Sequence, residues 1–421
     1  MTRRTQQRPA ESAASAELPL LDRPAEGTPP VVDTPAGLEE AVRRLAAGRG
    51  PIAVDAERAS GIRYGQRAFL AQFKRAGSGI LLVDTESLVT AGADFGPLAR
   101  VLSGPEWILH SAMQDLPCLD ELGLAPAAVF DTELAARLSG YERFGLGSVV
   151  ERTLEVRLAK EHSNSDWSKR PLPQAWLTYA ALDVEVLPDV REALIGELAL
   201  QGKLEWAYQE FAHLLAQGLP EPRKDPWRRT SGLSSLKSRR LLSMAKSLWE
   251  AREALAQSKD VSPGHLFPDS ALVAAVKAQP RTVPQLLEAH GFHGRFARKE
   301  APRWLEALRA GADSTPYPDL RGPSTGKLPA PRTWESRNPE AFARFTESRP
   351  DIQDLAEQLS LPVENLLQPA VHRELCWTAS ADMETEDVAS ALAALGARPW
   401  QIGLTADPLA QAFARATSTG R

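Results

Sequence analysis

Two acids one residue apart, Asp55 and Glu57, follow a short apolar run in the stretch PIAVDAE at residues 51–57. Side chains at i and i+2 of a strand point to the same face, so these carboxylates would share one side of a sheet. Like charges that close repel, and burial raises the pKa of each unless cations neutralise them. Oxygen donors without His or Cys neighbours suit Mg²⁺ or Mn²⁺ better than zinc. The pair alone decides little, because Asp-x-Glu recurs at Asp84/Glu86, Asp131/Glu133, Asp183/Glu185 and Asp382/Glu384. Most acids so spaced serve as caps, turn formers or solvated charge.

Two other places add candidates. After the apolar WILH, the stretch SAMQDL puts Asp115 in the first turn of a helix beside a strand end. An acid there serves equally well as a helix cap. In WLTYAALDVEVL, Tyr179 and Asp183 stand at i and i+4, one turn apart on the same helix face. A half-buried Tyr beside an unrelated surface Asp gives the same spacing.

The elements around these residues predict the fold. Residues 1–33 are rich in Pro, Ala, Ser and Glu without hydrophobic periodicity and read as a disordered tail. Thr34 and Pro35 are N-cap and first residue of a helix over PAGLEEAVRRLAAG, with Gly48 as its stop. PIAV, FLAQF and GILLVD read as strands; WILH and AVFD each lead into a helical pattern, QDLPCLDELG and TELAARLSG. Strands first in sequence and then alternating with helices predict a mixed sheet covered by helices over 34–215. Residues 172–200 read as a long helical region that Pro188 should kink or break.

From Gln217 the strand signals fade and helical patterns alternate with Pro- and Gly-bearing links. Residues 216–311 read as one helical unit, 312–332 as a Pro-rich linker, and 333–421 as a second helical unit. The two units share a rhythm of helix, short turn (VSPGHLFP or LPVENLLQP) and helix, which points to a duplication. The fold class is thus α/β plus all-α.

Composition narrows the function classes. The chain has 421 residues, 43% of them hydrophobic, and about 150 residues per domain predicts some three domains. No apolar run approaches the ~20 residues that span a bilayer. The opening MTRR has the charge of a signal-peptide start, but polar residues come next where an apolar stretch belongs, so a cytoplasmic protein is expected. Cys118 and Cys376 alone provide neither a disulfide framework nor a Cys-rich zinc site. The net charge of −5 hides a basic block: Arg223, Arg228, Arg229, Lys237, Arg239, Arg240, Lys246 and Arg252 face only Asp225 and Glu250. Such a block is either a phosphate-binding patch or a solvated helix face. Trp227 and Trp249 lie among these cations, with Trp249 better placed for a helical core.

PIAVDAE, LHSAMQD and TYAALDV, in that order and spacing, resemble the three motifs of the DEDD 3′–5′ exonucleases, Tyr subtype. DWSKRPLPQAWLTYAALDV is similar to the ribonuclease D pattern, in which DWS-x-RPL precedes the Tyr and Asp. The basic helical region from SGLSSLKSRRLLSMAKSLWEAREALA to about Leu308 resembles the HRDC domain, a nucleic-acid-binding helical bundle. The likeness runs from Thr34 to Leu308, and the last hundred or so residues look like a degenerate second HRDC unit.

The resemblance implies a ribonuclease H-like mixed-sheet exonuclease domain followed by HRDC-like bundles. It implies that Asp55, Glu57, Asp115 and Asp183 hold two divalent cations, Mg²⁺ or Mn²⁺, with Tyr179 orienting the attacking water. The substrate would be RNA with a free 3′ end, such as tRNA precursors, degraded by a monomer to 5′-mononucleotides. Lys237, Arg239 and Arg240 would grip the RNA, and Trp167 and Arg170 would add nucleic-acid contacts. His110 also falls at a motif position, with strand-end packing as the alternative. DAERASGI departs from the family's DTE-plus-aromatic form and leaves the contacts to the terminal nucleotide unassigned.

Two rival readings remain, a 3′–5′ DNA exonuclease and a catalytically silent RNA-binding protein. GPSTGKL at 322–328 is one residue short of a phosphate loop and lacks the Ser or Thr after Lys327. Gly145-Leu146-Gly147 lacks the third glycine of a dinucleotide fingerprint.

Overall fold

A computed structural model of the chain describes residues 18–159, 165–221, 223–320, 322, 328–380 and 382–418. Residues 1–17 of the expected tail and 323–327 of the GPSTGKL stretch lie outside the described residues. The strands are β1 (Leu20–Leu21), β2 (Val31–Val32), β3 (Arg49–Arg58), β4 (Ala68–Ala76), β5 (Gly79–Val83), β6 (Glu106–Leu109), β7 (Ala128–Asp131) and β8 (Arg157–Leu158). Six form a mixed sheet in the order β2-β5-β4-β3-β6-β7, with β3–β4 and β4–β5 antiparallel and the remaining pairs parallel.

Two expectations need correcting. Residues 18–33, read as part of a disordered tail, lie along the domain: β2 pairs with Leu82 and Val83, and β1 pairs with β8. Leu20-Leu21 and Val31-Val32 are too short to produce a periodic signal, yet Val31-Val32 suffices to add to the β5 edge of the six-stranded sheet, and Leu20-Leu21 makes a separate two-stranded sheet with β8. The strand carrying the first acid pair is also longer than PIAV. It continues through Asp55 and Glu57 to Arg58, because β4 supplies a hydrogen-bonding partner along its length.

Thr34 caps the helix Pro35–Ala47 by accepting from the Gly37 amide, and Gly48 ends it. The 172–200 region divides at Val186 into helices Gln174–Glu185 and Leu187–Leu200, as the missing amide of Pro188 requires. The first of these lies across β3, β4 and β5. It is tied down where Lys74 Nζ donates to the Glu185 carbonyl at 2.9 Å and pairs with its carboxylate at 3.2 Å.

The two helical units repeat one rhythm. Helices Arg239–Lys259, Pro263–Leu266 and Asp269–Ala278 have lengths of 21, 4 and 10 residues. Helices Pro339–Gln358, Val363–Leu366 and Pro369–Thr378 have 20, 4 and 10. In the first unit, helix Ala301–Asp313 closes the bundle against Arg239–Lys259, and Gly311 permits the approach. A Cβ there would lie 2.6 Å from the Ser243 carbonyl. In the second, helix Pro399–Ser418 closes against Pro339–Gln358.

Candidate active site

Alternation along β3 turns Asp55 and Glu57 to the same face, under helix Gln174–Glu185. That helix brings down Asp183. Carboxylate oxygens of Asp55, Glu57 and Asp183 lie within 4.8 Å of one another. One turn earlier, the Tyr179 hydroxyl hydrogen-bonds the Asp183 carboxylate.

Asp115 arrives from the segment after β6. Ser111 adopts a left-handed conformation with φ 64°, then a short turn over Ala112–Gln114 leads to Asp115 and helix Leu116–Asp120. Asp131 fastens this turn. Its carboxylate accepts from the amides of Ser111 (3.1 Å) and Ala112 (2.8 Å), and also from Glu133 and Leu134 at the start of the next helix. Asp131 is therefore a cap and a brace, whereas Asp115 stands at a helix start without making a capping bond. Its carboxylate is buried, and Arg58 Nη2 lies 3.6 Å from Oδ1. Asp115 is not part of the mutual 4.8 Å group, but its charge is felt by Glu57 and it feels those of Asp55 and Asp183.

Burial and mutual repulsion dominate the electrostatics. Burial raises Asp55 to about 6. Glu57 is pushed well above the usual carboxylate range by burial and then by Asp55, Asp183 and Asp115. Asp115 and Asp183 are raised by burial and by Asp55. Tyr179 is raised by burial and by Asp183, so its phenol stays neutral at physiological pH. Four acids held where ionisation is costly need positive charge. The donors are all carboxylate oxygen, which fits hard divalent cations. Gln72, paired with Asp55 across β3–β4, is fully buried with neither amide atom bonded to protein.

Other residues singled out in sequence are placed differently. Trp167 is fully buried, its ring 5.4 Å from Trp176 and 6.5 Å from Tyr179, so it backs the tyrosine and offers no face to a base. Arg170 is spent on the protein. It grips Asp84 through two hydrogen bonds of 2.5 and 2.6 Å and donates to the carbonyls of Phe69, Trp167 and Lys169. Asp84 in turn caps helix Thr85–Thr90. The DWSKR stretch is thus a brace behind the site, because the depth of the sheet edge exceeds what the motif spacing reveals. His110 bonds Thr132 through Nδ1 at 2.9 Å, and burial lowers it to about 4.

Lys237, Arg239 and Arg240 are exposed on the first helical unit. Lys237 bonds the Ser234 carbonyl, Arg240 bonds Gln279, and Arg239 pairs with Asp319 at 3.0 Å. Trp227 is buried under the Arg228 guanidinium, which lies 4.4 Å from its ring. Trp249 packs on the same core. Two residues of the site carried weak signals: Arg58, a cation directly after the first acid pair, and Gln72, a lone amide within the apolar FLAQF.

Comparison with known proteins adds three domain matches: a 3′–5′ exonuclease model at residues 29–199, an HRDC domain at 242–308, and a 3′ to 5′ exonuclease C-terminal domain at 327–413. The last segment therefore matches a description of its own, distinct from HRDC, despite the shared helix lengths. Ribonuclease D of Gluconacetobacter diazotrophicus is 34% identical over 238 residues, 55% of this chain and 59% of that protein. Ribonuclease D of Acidiphilium cryptum is 32% identical, with 59% and 63% covered. The matched part thus spans less than two thirds of these relatives' length. A crystal structure of a protein from Bifidobacterium adolescentis is 37% identical, covers 94% of this chain and all of its own, and superposes with a TM-score of 0.86. Escherichia coli RNase D, at 22% identity and a TM-score of 0.64, covers 87% of this chain and 98% of its own and shares the fold.

Proposed function

We propose that this chain, a member of the ribonuclease D family, is a metal-dependent 3′–5′ exoribonuclease that releases 5′-mononucleotides. The observation supporting this most directly is the meeting of acids from three remote stretches: Asp55 and Glu57 on β3, Asp183 above them, and Asp115 alongside. Asp55, Glu57, Asp115 and Asp183 would hold two divalent cations, Mg²⁺ or Mn²⁺. Such ions, when bound, supply Lewis-acid charge at the phosphate and make water a better nucleophile.

The chain's own groups do the rest. The four carboxylates would hold the cations through oxygen donors alone. Tyr179, a neutral phenol hydrogen-bonded to Asp183, directs the attacking water by its Oη rather than acting as a bulk base. Water, giving up a proton to become hydroxide, attacks phosphorus, the bond from phosphorus to the 3′-oxygen of the penultimate nucleotide breaks, and that oxygen takes up a proton from solvent as the new 3′-hydroxyl end. The exposed Lys237, Arg239 and Arg240 supply phosphate contacts without sequence readout. The Escherichia coli protein of this family is an exoribonuclease involved in structured RNA processing. Structured RNAs with free 3′ ends, tRNA precursors among them, are the substrate class proposed here.

The test is Asp55→Asn in the full chain, assayed on matched RNA and DNA oligonucleotides with Mg²⁺ and with Mn²⁺. Mononucleotide release should stop while RNA binding persists. Wild-type turnover in this variant would remove Asp55 from the site, and faster wild-type cleavage of DNA would reverse the substrate.

A further inference from the structure

Arg58 ends β3, directly after Glu57. Strict alternation would turn it away from the acids, yet it reaches Asp115 and its charge is felt by Asp55 and Glu57. The reason is a slip in register. Glu57 pairs with Leu70, but Arg58 pairs with Ala68, so Phe69 is the extra residue of a bulge at this step. Bulges beside active sites bend a strand and re-aim a side chain.

Two arginines near the site are held in opposite ways. Arg170 is locked by two short bonds to Asp84 and three carbonyls. Among the described residues, Arg58 has one ion-pair contact, at 3.6 Å to Asp115, too long for a hydrogen bond, and its side chain is 24% exposed. Its five N–H donors are therefore available to something else.

Charge identifies that partner. On the reading proposed above, two divalent cations among four carboxylates leave no net positive charge. A phosphodiester brings one negative charge into the site, and attack by hydroxide adds a second. We propose that Arg58 is a catalytic residue of this chain: it neutralises part of Asp115 while cations are absent, and contacts the scissile phosphate once they are bound. Its planar fork matches phosphate oxygens through paired hydrogen bonds. This occupies the place after the first acid pair where the resembling family carries an aromatic residue.

The experiment compares wild type, Arg58→Gln, Arg58→Lys and Asp55→Asn as full chains. Single-turnover cleavage of an RNA oligonucleotide is measured at saturating Mn²⁺, and Mn²⁺ binding is measured by calorimetry without RNA. Removal of one transition-state donor lowers turnover by about 10²–10³-fold, so Arg58→Gln should fall in that range and Arg58→Lys should recover part of it. Mn²⁺ binding by Arg58→Gln should tighten, because a competing cation has gone. Turnover within threefold of wild type, or Mn²⁺ affinity falling in step with turnover, overturns the proposal. A rate lost in Asp55→Asn but kept in Arg58→Gln overturns this inference alone. A rate kept in Asp55→Asn overturns the site on which it rests.

Discussion

The two helical units have nearly the same helix lengths and join the sheet domain by opposite physics. The C-terminal unit shares one continuous hydrophobic core with it: Trp334, Ile352, Leu375 and Phe413 belong to the same cluster as Ile52, Phe130 and Phe211. Trp400 stacks on Trp206 at 4.8 Å. Below the stack, Arg398 and Trp400 Nε1 both donate to the buried Glu210 carboxylate, at 2.5 and 2.8 Å. At the same seam Gly140, with φ +82°, has no room for a side chain, since a Cβ would lie 2.8 Å from the Ser360 carbonyl.

The HRDC unit keeps its own core, from Trp227 to Ala312. It meets the sheet domain through the loop after β3, whose Tyr64 packs on the rim of that core and whose remaining contacts are polar. Asp260 accepts from Arg67 at 2.9 and 2.8 Å and from the Tyr64 amide, and Arg67 also pairs with Glu86. Ser262 adds bonds to the carbonyls of Gly61 and Ile62. The same loop bonds Ser168 through Arg63, so the HRDC contact bears on both the segment following Glu57 and the segment backing Tyr179. Apolar continuity makes the C-terminal unit a fixed part of the sheet domain. A cluster of part-exposed ions makes the HRDC unit a docked one, whose hold depends on salt.

The sharpest break of this contrast is Glu210→Ala. It leaves Arg398 buried without its carboxylate, a loss of about 3–5 kcal/mol when one member of a buried pair is removed. Chemical denaturation should show the sheet domain and C-terminal unit losing stability together, in one transition. Two separate transitions would refute a shared core. Next in size is the metal effect. The folded-state pKa of Asp55, about 6, lies above its ordinary carboxylate value, so ionisation is costlier in the folded chain. Metal-free stability should therefore fall as pH rises through 6, and Mn²⁺ should raise the melting temperature more at pH 8 than at pH 5. Equal shifts at both pH values would reject cations at these acids.

Asp260→Ala acts on the docked side. Part-exposed ion pairs contribute at most about 1 kcal/mol each, so stability should change little. Cleavage of di- and trinucleotides should be unchanged while KM for long RNA rises severalfold. An equal loss on both lengths would mean that the contact shapes the site itself. The smallest effect is expected from Lys237, Arg239 and Arg240 reversed to Glu. Long-RNA binding should weaken with a shallower salt dependence, as phosphate contacts are lost. An unchanged slope would leave these cations as solvated surface.

Much of the site was legible because its signals are local. Alternation on β3 and the i, i+4 spacing of Tyr179 and Asp183 follow from backbone geometry over a few residues. So do the cap at Thr34 and the break before Pro188. Trp167 and Arg170 were not legible in the same way, because a motif says that residues sit near a site, not how deep they lie. Their depth is decided in good part by Phe69 and Asp84, which come from other stretches.

By its order of residues alone, the chain specified the five strands β3 to β7 and the long helices, its acids and their spacing, and the repeat of two helical units. Tertiary structure decided which Asp braces and which faces the cluster, since Asp131 and Asp115 differ only in what reaches them. It also decided where Arg58 points, through a bulge set by β4, and which helical unit merges with the sheet. The physical reason is range. Backbone preferences act over one or two turns, whereas desolvation, ion pairing and core continuity depend on residues hundreds of positions apart meeting in space.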